Sequence, residues 1–152
     1  MLRLRARHQV RLAEKQALVE AQKAFDADEV PVGAVIVAHD RIIARAHNLT
    51  ELLNDVTAHA EMQAITAAAN FLGGKYLTKC TLYVTLEPCQ MCAGALYWSQ
   101  ISNIVYGAKD DQRGCVVMGT KLHPKTIMRG GVLATEASEL IKRFFVEKRN
   151  LN

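Results

Sequence analysis

Residues 32–38, Val-Gly-Ala-Val-Ile-Val-Ala, form an unbroken apolar run. A run of that length without polar alternation reads as a strand buried on both faces. Such a strand needs cover above and below, so the chain must supply helices to both sides of a sheet. Positions 8–26 place Ala13, Ala17, Leu18, Ala21, Ala24 and Phe25 on one helical stripe. Glu29-Val30-Pro31 then breaks that helix. His39-Asp40 is a tight turn from the apolar run into a second strand, Arg41–Ala46, which makes a hairpin. Residues 48–56 lack periodicity and read as loop. Thr57 suits an N-cap, Ala58–Asn70 is an alanine-rich helix, and Gly73-Gly74 ends it.

The second half alternates in the same way. Cys80–Leu86 is β-rich, and Pro88 fits the first position of a helix running to about Ser99. Asn103–Ala108 is a further strand. Residues 109–130 read as a long loop with short structured pieces, and Val132-Leu133 as a short fifth strand. Glu136–Arg149 is a last helix, apolar at Leu140, Ile141, Phe144 and Phe145 and basic at its end. A hairpin followed by alternating helices and strands implies a mixed sheet of about five strands covered on both faces. The expected fold class is therefore α/β, a three-layer α/β/α domain, with residues 1–152 forming one domain.

Composition excludes several classes. At 152 residues the chain can close a core without disulfides. Half its residues are hydrophobic and 22% are charged, as in soluble globular proteins. No apolar run approaches the roughly 20 residues that span a bilayer, so no membrane role is expected. The start, MLRLRARHQVR, has no apolar core behind its arginines and reads as a basic entry to the first helix, not a secretory signal. A net charge of +4 is a mild bias toward anionic partners. Four cysteines are too few for a disulfide scaffold, and the Cys-x-x-Cys pair points to metal or redox chemistry in a reducing compartment.

Two motifs carry chemistry. His59-Ala60-Glu61 lies just inside one helix start, and Pro88-Cys89-Gln90-Met91-Cys92 at the next. Cysteines three apart on a helical turn face the same side. The positive end of a helix dipole favours their thiolates. Zinc takes thiolate and imidazole ligands in a tetrahedron, so His59, Cys89 and Cys92 are candidate zinc ligands. Two thiolates and a neutral imidazole balance the ion's charge and leave one position open, which is the pattern of a catalytic rather than a structural site. Cys80 and Cys115 remain possible fourth ligands. Zinc brings the pKa of water down toward about 7, and Glu61, two residues from a ligand, can face the same pocket and move protons. Other readings stand beside these: a redox pair for Cys89 and Cys92, a structural histidine for His59, and a first-turn acid complementing the dipole for Glu61. His8, His39, His47 and His123 have no partners at ligand spacing and read as surface, turn or loop residues.

His-x-Glu followed by Pro-Cys-x-x-Cys is the pattern of zinc nucleobase deaminases. With Glu29-Val-Pro-Val-Gly-Ala-Val-Ile-Val37, Thr57-Ala-His-Ala-Glu61 and Leu82-Tyr-Val-Thr-Leu-Glu-Pro-Cys-Gln-Met-Cys-Ala-Gly-Ala95, the chain resembles the bacterial tRNA-specific adenosine deaminases of the cytidine deaminase-like fold from about residue 11 to 149. The resemblance implies hydrolytic deamination of adenosine to inosine at the wobble position of an arginine tRNA anticodon, a zinc cofactor, a cytoplasmic homodimer, and RNA touching both subunits. It gives Asn48 a place against the flipped base and Asp110 a place near the RNA backbone. A loop-closing Asn48 and a solvated turn acid at Asp110 are the plainer alternatives. Lys142, Arg143, Lys148 and Arg149, with Phe144 and Phe145 between them, suit single-stranded RNA or an ordinary amphipathic helix.

The chain departs from the family pattern at Val56, in place of a proline, in the arginine-free loop Leu49–Asp55, in the poorly matching segment 115–130, and at Tyr97-Trp98, which resembles bacterial guanine deaminases. A deaminase of a free base or nucleoside, guanine or cytosine, is therefore the alternative activity. A structural zinc in an RNA-binding module is a third reading.

Overall fold

The computed structural model describes the backbone of residues 2–151 and the side chains of residues 7–151. Its elements are α1 (Leu2–Asp26), β1 (Gly33–Ala38), β2 (Arg41–His47), α2 (Ala60–Leu72), β3 (Cys80–Leu86), α3 (Gln90–Ser99), β4 (Asn103–Ala108), β5 (Ile127–Arg129) and α4 (Ala134–Leu151). The strands form one sheet in the order β2-β1-β3-β4-β5. β1 pairs antiparallel with both β2 and β3, whereas β3, β4 and β5 run parallel. The expected mixed, five-stranded α/β arrangement is present.

The central strands are covered on both faces. On one side Ala34, Ile36, Leu82, Val84 and Ile104 pack with Ala60, Ala64 and Ala68 of α2 and Leu96 of α3. On the other, Val35, Tyr83 and Val105 pack against Val10 of α1. α1 lies close because Ala17, Ala21 and Ala24 are small and fully buried. Gly33 completes the fit, since a Cβ there would fall on the Ala17 carbonyl and the Ala21 nitrogen. The Gly33 N–H donates to Thr85 Oγ1 at 3.1 Å, tying β1 to β3 in the interior. His39 and Asp40 both have positive φ, 51° and 60°, the geometry of a two-residue hairpin turn whose twist matches its strands. No helix among the described residues is long and apolar enough to cross a membrane.

Several boundaries differ from the sequence reading; α2 runs on to Leu72, and α4 spans Ala134–Leu151, two residues longer at each end. α1 begins at Leu2 rather than at residue 8, because Leu, Arg and Ala all favour helix and nothing in that stretch stops it. α2 and α3 begin two residues later than expected, with His59 and Cys89 as N-caps in extended conformation. The fifth strand is Ile127–Arg129, not Val132-Leu133. Leu133 has a φ of 54° and turns the chain into α4, which no strand residue could do.

Candidate active site

The loops before α2 and α3 bring both motifs to one end of the sheet, beyond the carboxyl ends of β3 and β4, where α/β sheets hold their ligands. The chain enters α2 through a tied loop. Asp55 accepts the Thr57 N–H at 2.8 Å and the Thr57 hydroxyl at 2.7 Å, and the Leu49 N–H donates to the Ala58 carbonyl at 2.9 Å. Thr57 is thus held by Asp55 and does not cap the helix. Those two bonds keep the exposed Asp55 carboxyl below the usual carboxylate range. His59 takes the cap position with φ −70° and ψ 156°, without a side-chain cap bond, so its imidazole is free to point outward. Cys89 does the same for α3, and Cys92 follows on its first turn.

His59 Nδ1 lies 3.7 Å from Cys89 Sγ and 3.5 Å from Cys92 Sγ. All three candidate ligand atoms fall within 4.8 Å of one another. Zinc bonds of about 2.3 Å to sulfur and about 2.0 Å to nitrogen give a tetrahedron with nitrogen–sulfur edges of about 3.5 Å. The donor set therefore fits a zinc ion in both chemistry and spacing. In the protein alone, a hydrogen bond from Cys92 and the neighbouring His59 hold the Cys89 thiol down at about 4. Cys92 is pushed up by that same thiolate and by burial. His59 is raised, first by its bond with Cys89. Cys80 and Cys115 lie outside the cluster. Cys115 is buried against the Met128 thioether, at 4.0 Å between sulfurs, and burial raises its thiol to about 11. Cys80 is buried at the start of β3.

Glu61 sits on the first turn of α2 and is 4% exposed. Burial pushes its carboxyl up to about 7, and the Cys89 charge adds to that rise. Its carboxylate also meets the Cys92 thiol, which lowers it. A carboxyl near 7 both accepts and returns a proton at neutral pH.

His59, Glu61 and Cys89 open into a cleft of about 870 Å³. Its lining includes Val30, Val32, Asn48 and Thr50, residues 109–113, and Ser138, Ile141, Lys142 and Phe145 of α4. Both predicted substrate residues line this cleft. Asn48 is 6% exposed; its N–H donates to the Val32 carbonyl at 3.1 Å and its Oδ1 accepts the Thr50 N–H at 3.4 Å. Asp110 Oδ1 accepts the N–H groups of Gln112 and Arg113 at 3.1 and 2.9 Å, so one oxygen is engaged in shaping its own turn.

The basic helix divides. Lys142 and Phe145 face the cleft. Phe144 is buried edge-on to Phe25 at 5.9 Å between ring centres, and Lys148 pairs with Asp28 at 2.6 Å. Ser138, Ile141, Lys142 and Phe145 follow the i, i+3, i+4, i+7 spacing of one helical face, the signal by which sequence could have found them. His47 is not a plain surface or loop residue, since it ends β2 and its Nδ1 lies 3.4 Å from Glu20 Oε2. Tyr97 and Trp98 stack edge to face at 5.7 Å, away from the cleft lining, and Trp98 is exposed. Sequence reasoning also passed over Glu29 and Glu87, both buried and both hydrogen-bonded to cleft loops.

Comparison with known proteins agrees with this geometry. A family model, MafB19-like deaminase, matches residues 10–152. A tRNA-specific adenosine deaminase of Agrobacterium fabrum is 45% identical over 139 residues, 88% of this chain and 91% of that protein. A structure from work on A-to-I editing by tRNA:A34 deaminases at the wobble position is 42% identical with a TM-score of 0.80, covering 84% of this chain and 97% of the other. A guanine deaminase of Bacillus subtilis is 38% identical with a TM-score of 0.63, covering 72% and 69%. The three-layer fold read from the sequence is the fold of these enzymes. On that span and identity, the chain belongs to the MafB19-like deaminases and, among them, to the family of tRNA-specific adenosine deaminases.

Proposed function

We propose that this protein is the cytoplasmic deaminase that converts adenosine to inosine at the wobble position of an arginine tRNA, working as a homodimer with a zinc ion held by His59, Cys89 and Cys92. The observation that carries the reading is the buried Glu61 carboxyl beside three clustered ligand atoms, all opening into one cleft. When bound, zinc lowers the pKa of water and so supplies a nucleophile at neutral pH. The water oxygen bonds to C6 of the adenine, the C6–N6 bond breaks, and the products are inosine and ammonia. Glu61 takes the proton that the water gives up and returns it to the leaving nitrogen, as a buried carboxyl facing the cleft can. Asn48, buried at the cleft wall, hydrogen-bonds the base. Asp110 and Lys142 meet the neighbouring backbone, and the half-exposed Phe145 offers a face for stacking. An unpaired anticodon nucleotide is the cheap substrate, because C6 is unreachable while the base is stacked.

The test is incubation of zinc-loaded protein with an arginine tRNA bearing an ACG anticodon. Inosine at the first anticodon position is the expected product, and its absence from a folded, metal-replete sample sinks the proposal. The likeness to the Bacillus subtilis guanine deaminase supports a second reading. Ammonia released from guanine and none from tRNA would select it.

A further inference from the structure

Five glutamates are almost wholly buried: Glu14, Glu20, Glu29, Glu61 and Glu87. Glu29 and Glu87 share an arrangement that the metal cluster does not use. Glu29 follows α1 and precedes Val30-Pro31; its two oxygens accept the N–H groups of Glu51 and Leu52, each at 2.9 Å. Glu87 precedes Pro88; its two oxygens accept the N–H of Asp110 at 3.3 Å and of Val116 at 3.0 Å. Neither has a cationic partner among the described residues. A buried carboxylate without a cation is costly unless hydrogen bonds replace its water. Here backbone N–H groups do so, and all four come from loops that otherwise lack regular structure. Residues of both loops line the cleft. One carries Asn48 and Thr50, the other Asp110 to Arg113. The Glu87 side has a second mark of fit. Gly114 packs close to the carboxylate, and a Cβ there would fall on a Glu87 oxygen and on the Asp110 carbonyl.

We propose that Glu29 and Glu87 are positioning residues for the deamination, each fixing one wall of the cleft through a pair of backbone hydrogen bonds, so that the two together set the width offered to the extruded nucleotide. The inference rests on the polynucleotide substrate proposed above.

The test uses Glu29→Gln and Glu87→Gln. Glutamine keeps the shape but offers one acceptor where the carboxylate offers two, so one N–H of each pair is left unpaired. KM for tRNA should rise about tenfold or more, corresponding to the loss of a charged hydrogen bond. The value of kcat at saturating tRNA should stay within about threefold, and bound zinc should be unchanged, since no metal ligand or proton carrier is touched. Gly114→Ala keeps both carboxylates, crowds the Glu87 carboxylate and the Asp110 carbonyl together, and should reproduce the Glu87→Gln rise in KM. Wild-type protein run alongside separates the two failures. No inosine from wild type rejects the tRNA reading, whereas active wild type with unchanged KM in folded, zinc-loaded variants rejects the positioning role. Should the variants not fold, amide exchange in the wild type decides. The N–H groups of Glu51, Leu52 and Val116 should exchange at least about 100-fold slower than an open loop, and rapid exchange at all three overturns the proposal.

Discussion

Glu61 and Glu14 are two glutamates that the fold takes out of water, and burial pushes both carboxyls up, to about 7 and about 9. Their surroundings have little else in common. Glu61 stands on a helix N-terminal turn, against the Cys92 thiol, with a cleft in front of it. Glu14 stands in the middle of α1 against the sheet. Among the described residues neither of its oxygens has a hydrogen-bond partner, and the Val84 backbone pulls its carboxyl down without a well-formed bond. A raised pKa is therefore no mark of catalysis by itself. What separates the two is access to a substrate and a place for the proton to go.

The largest effect should come from removing that difference. Glu61→Gln should lower kcat for inosine formation about 10²- to 10⁴-fold, the range of general acid–base catalysis, while zinc content stays unchanged. Glu14→Gln should leave kcat as it is. Steady-state rates with metal analysis on both variants check this, and an equal loss from Glu14→Gln would break the comparison.

Metal removal sharpens it next. Cys89→Ala should lose the bound zinc and the activity together, whereas Cys80→Ala and Cys115→Ala should keep zinc, because neither thiol belongs to the cluster. Chelation of the wild type should likewise abolish activity and lower thermal stability, by about 2.7 kcal/mol if free zinc had stood at 100 times its Kd. Readdition of zinc should restore both. Zinc retained by Cys89→Ala at wild-type level would remove that thiol from the ligand set.

Much of this was legible in the residues. β3 and β4 lie where their apolar runs put them, Cys80–Leu86 and Asn103–Ala108, because strands buried on both faces carry the strongest local signal. The helix starts fall later than expected because His59 and Cys89, the candidate ligands, take the cap positions. Thr57 is the better capping side chain, but Asp55 holds it, and His59 gives up a cap bond to present its ring. β5 was missed because an edge strand with exposed Ile127 and Arg129 has no apolar pattern to read, while Val132-Leu133 does. His59, Cys89, Cys92 and Glu61 were legible as candidates because spacing and residue type define them, and the fold brings the three candidate ligand atoms within 4.8 Å of one another. Glu29 and Glu87 were missed because their partners are backbone N–H groups, which no side-chain pattern announces. Glu14 could have been caught. Val10, Glu14, Ala17, Ala21 and Ala24 repeat at steps of four and three, which puts the acid on the buried stripe.

That misplaced acid predicts a pH dependence. An unfolded glutamate ionises near 4.5, and the folded Glu14 near 9. Between those values the folded state holds a proton that the unfolded state has released, so stability falls as pH rises, by up to about 1.4 kcal/mol per pH unit. Below 4.5 both states are protonated and Glu14 adds no slope; above about 9 both are ionised and the penalty is complete. Denaturant unfolding at pH 5, 7 and 9 should show this decline, and Glu14→Gln should flatten it. Glu14→Leu should raise stability most at the alkaline end. An unchanged slope in Glu14→Gln would assign the pH dependence to other groups.

The smallest effect sets Glu14 against its neighbour on the same helix. Glu20 is also buried, but it has partners: Lys23 Nζ at 3.2 Å and His47 Nδ1 at 3.4 Å. The Lys23 side chain is 55% exposed and the His47 side chain 24%, so solvent weakens both contacts. Glu20→Gln should then cost about 1 kcal/mol at pH 7, part of it recovered because the amide oxygen can still accept from Lys23. Glu14→Gln at the same pH should stabilise, since it removes a charge that the fold excludes and adds no unpaired ion. The same substitution, six residues apart on one helix, is thus expected to act with opposite signs. Unfolding curves of the two variants at pH 7 decide it. If both destabilise, burial without partners is not what sets Glu14 apart, and the contrast with Glu61 would have to rest on geometry alone.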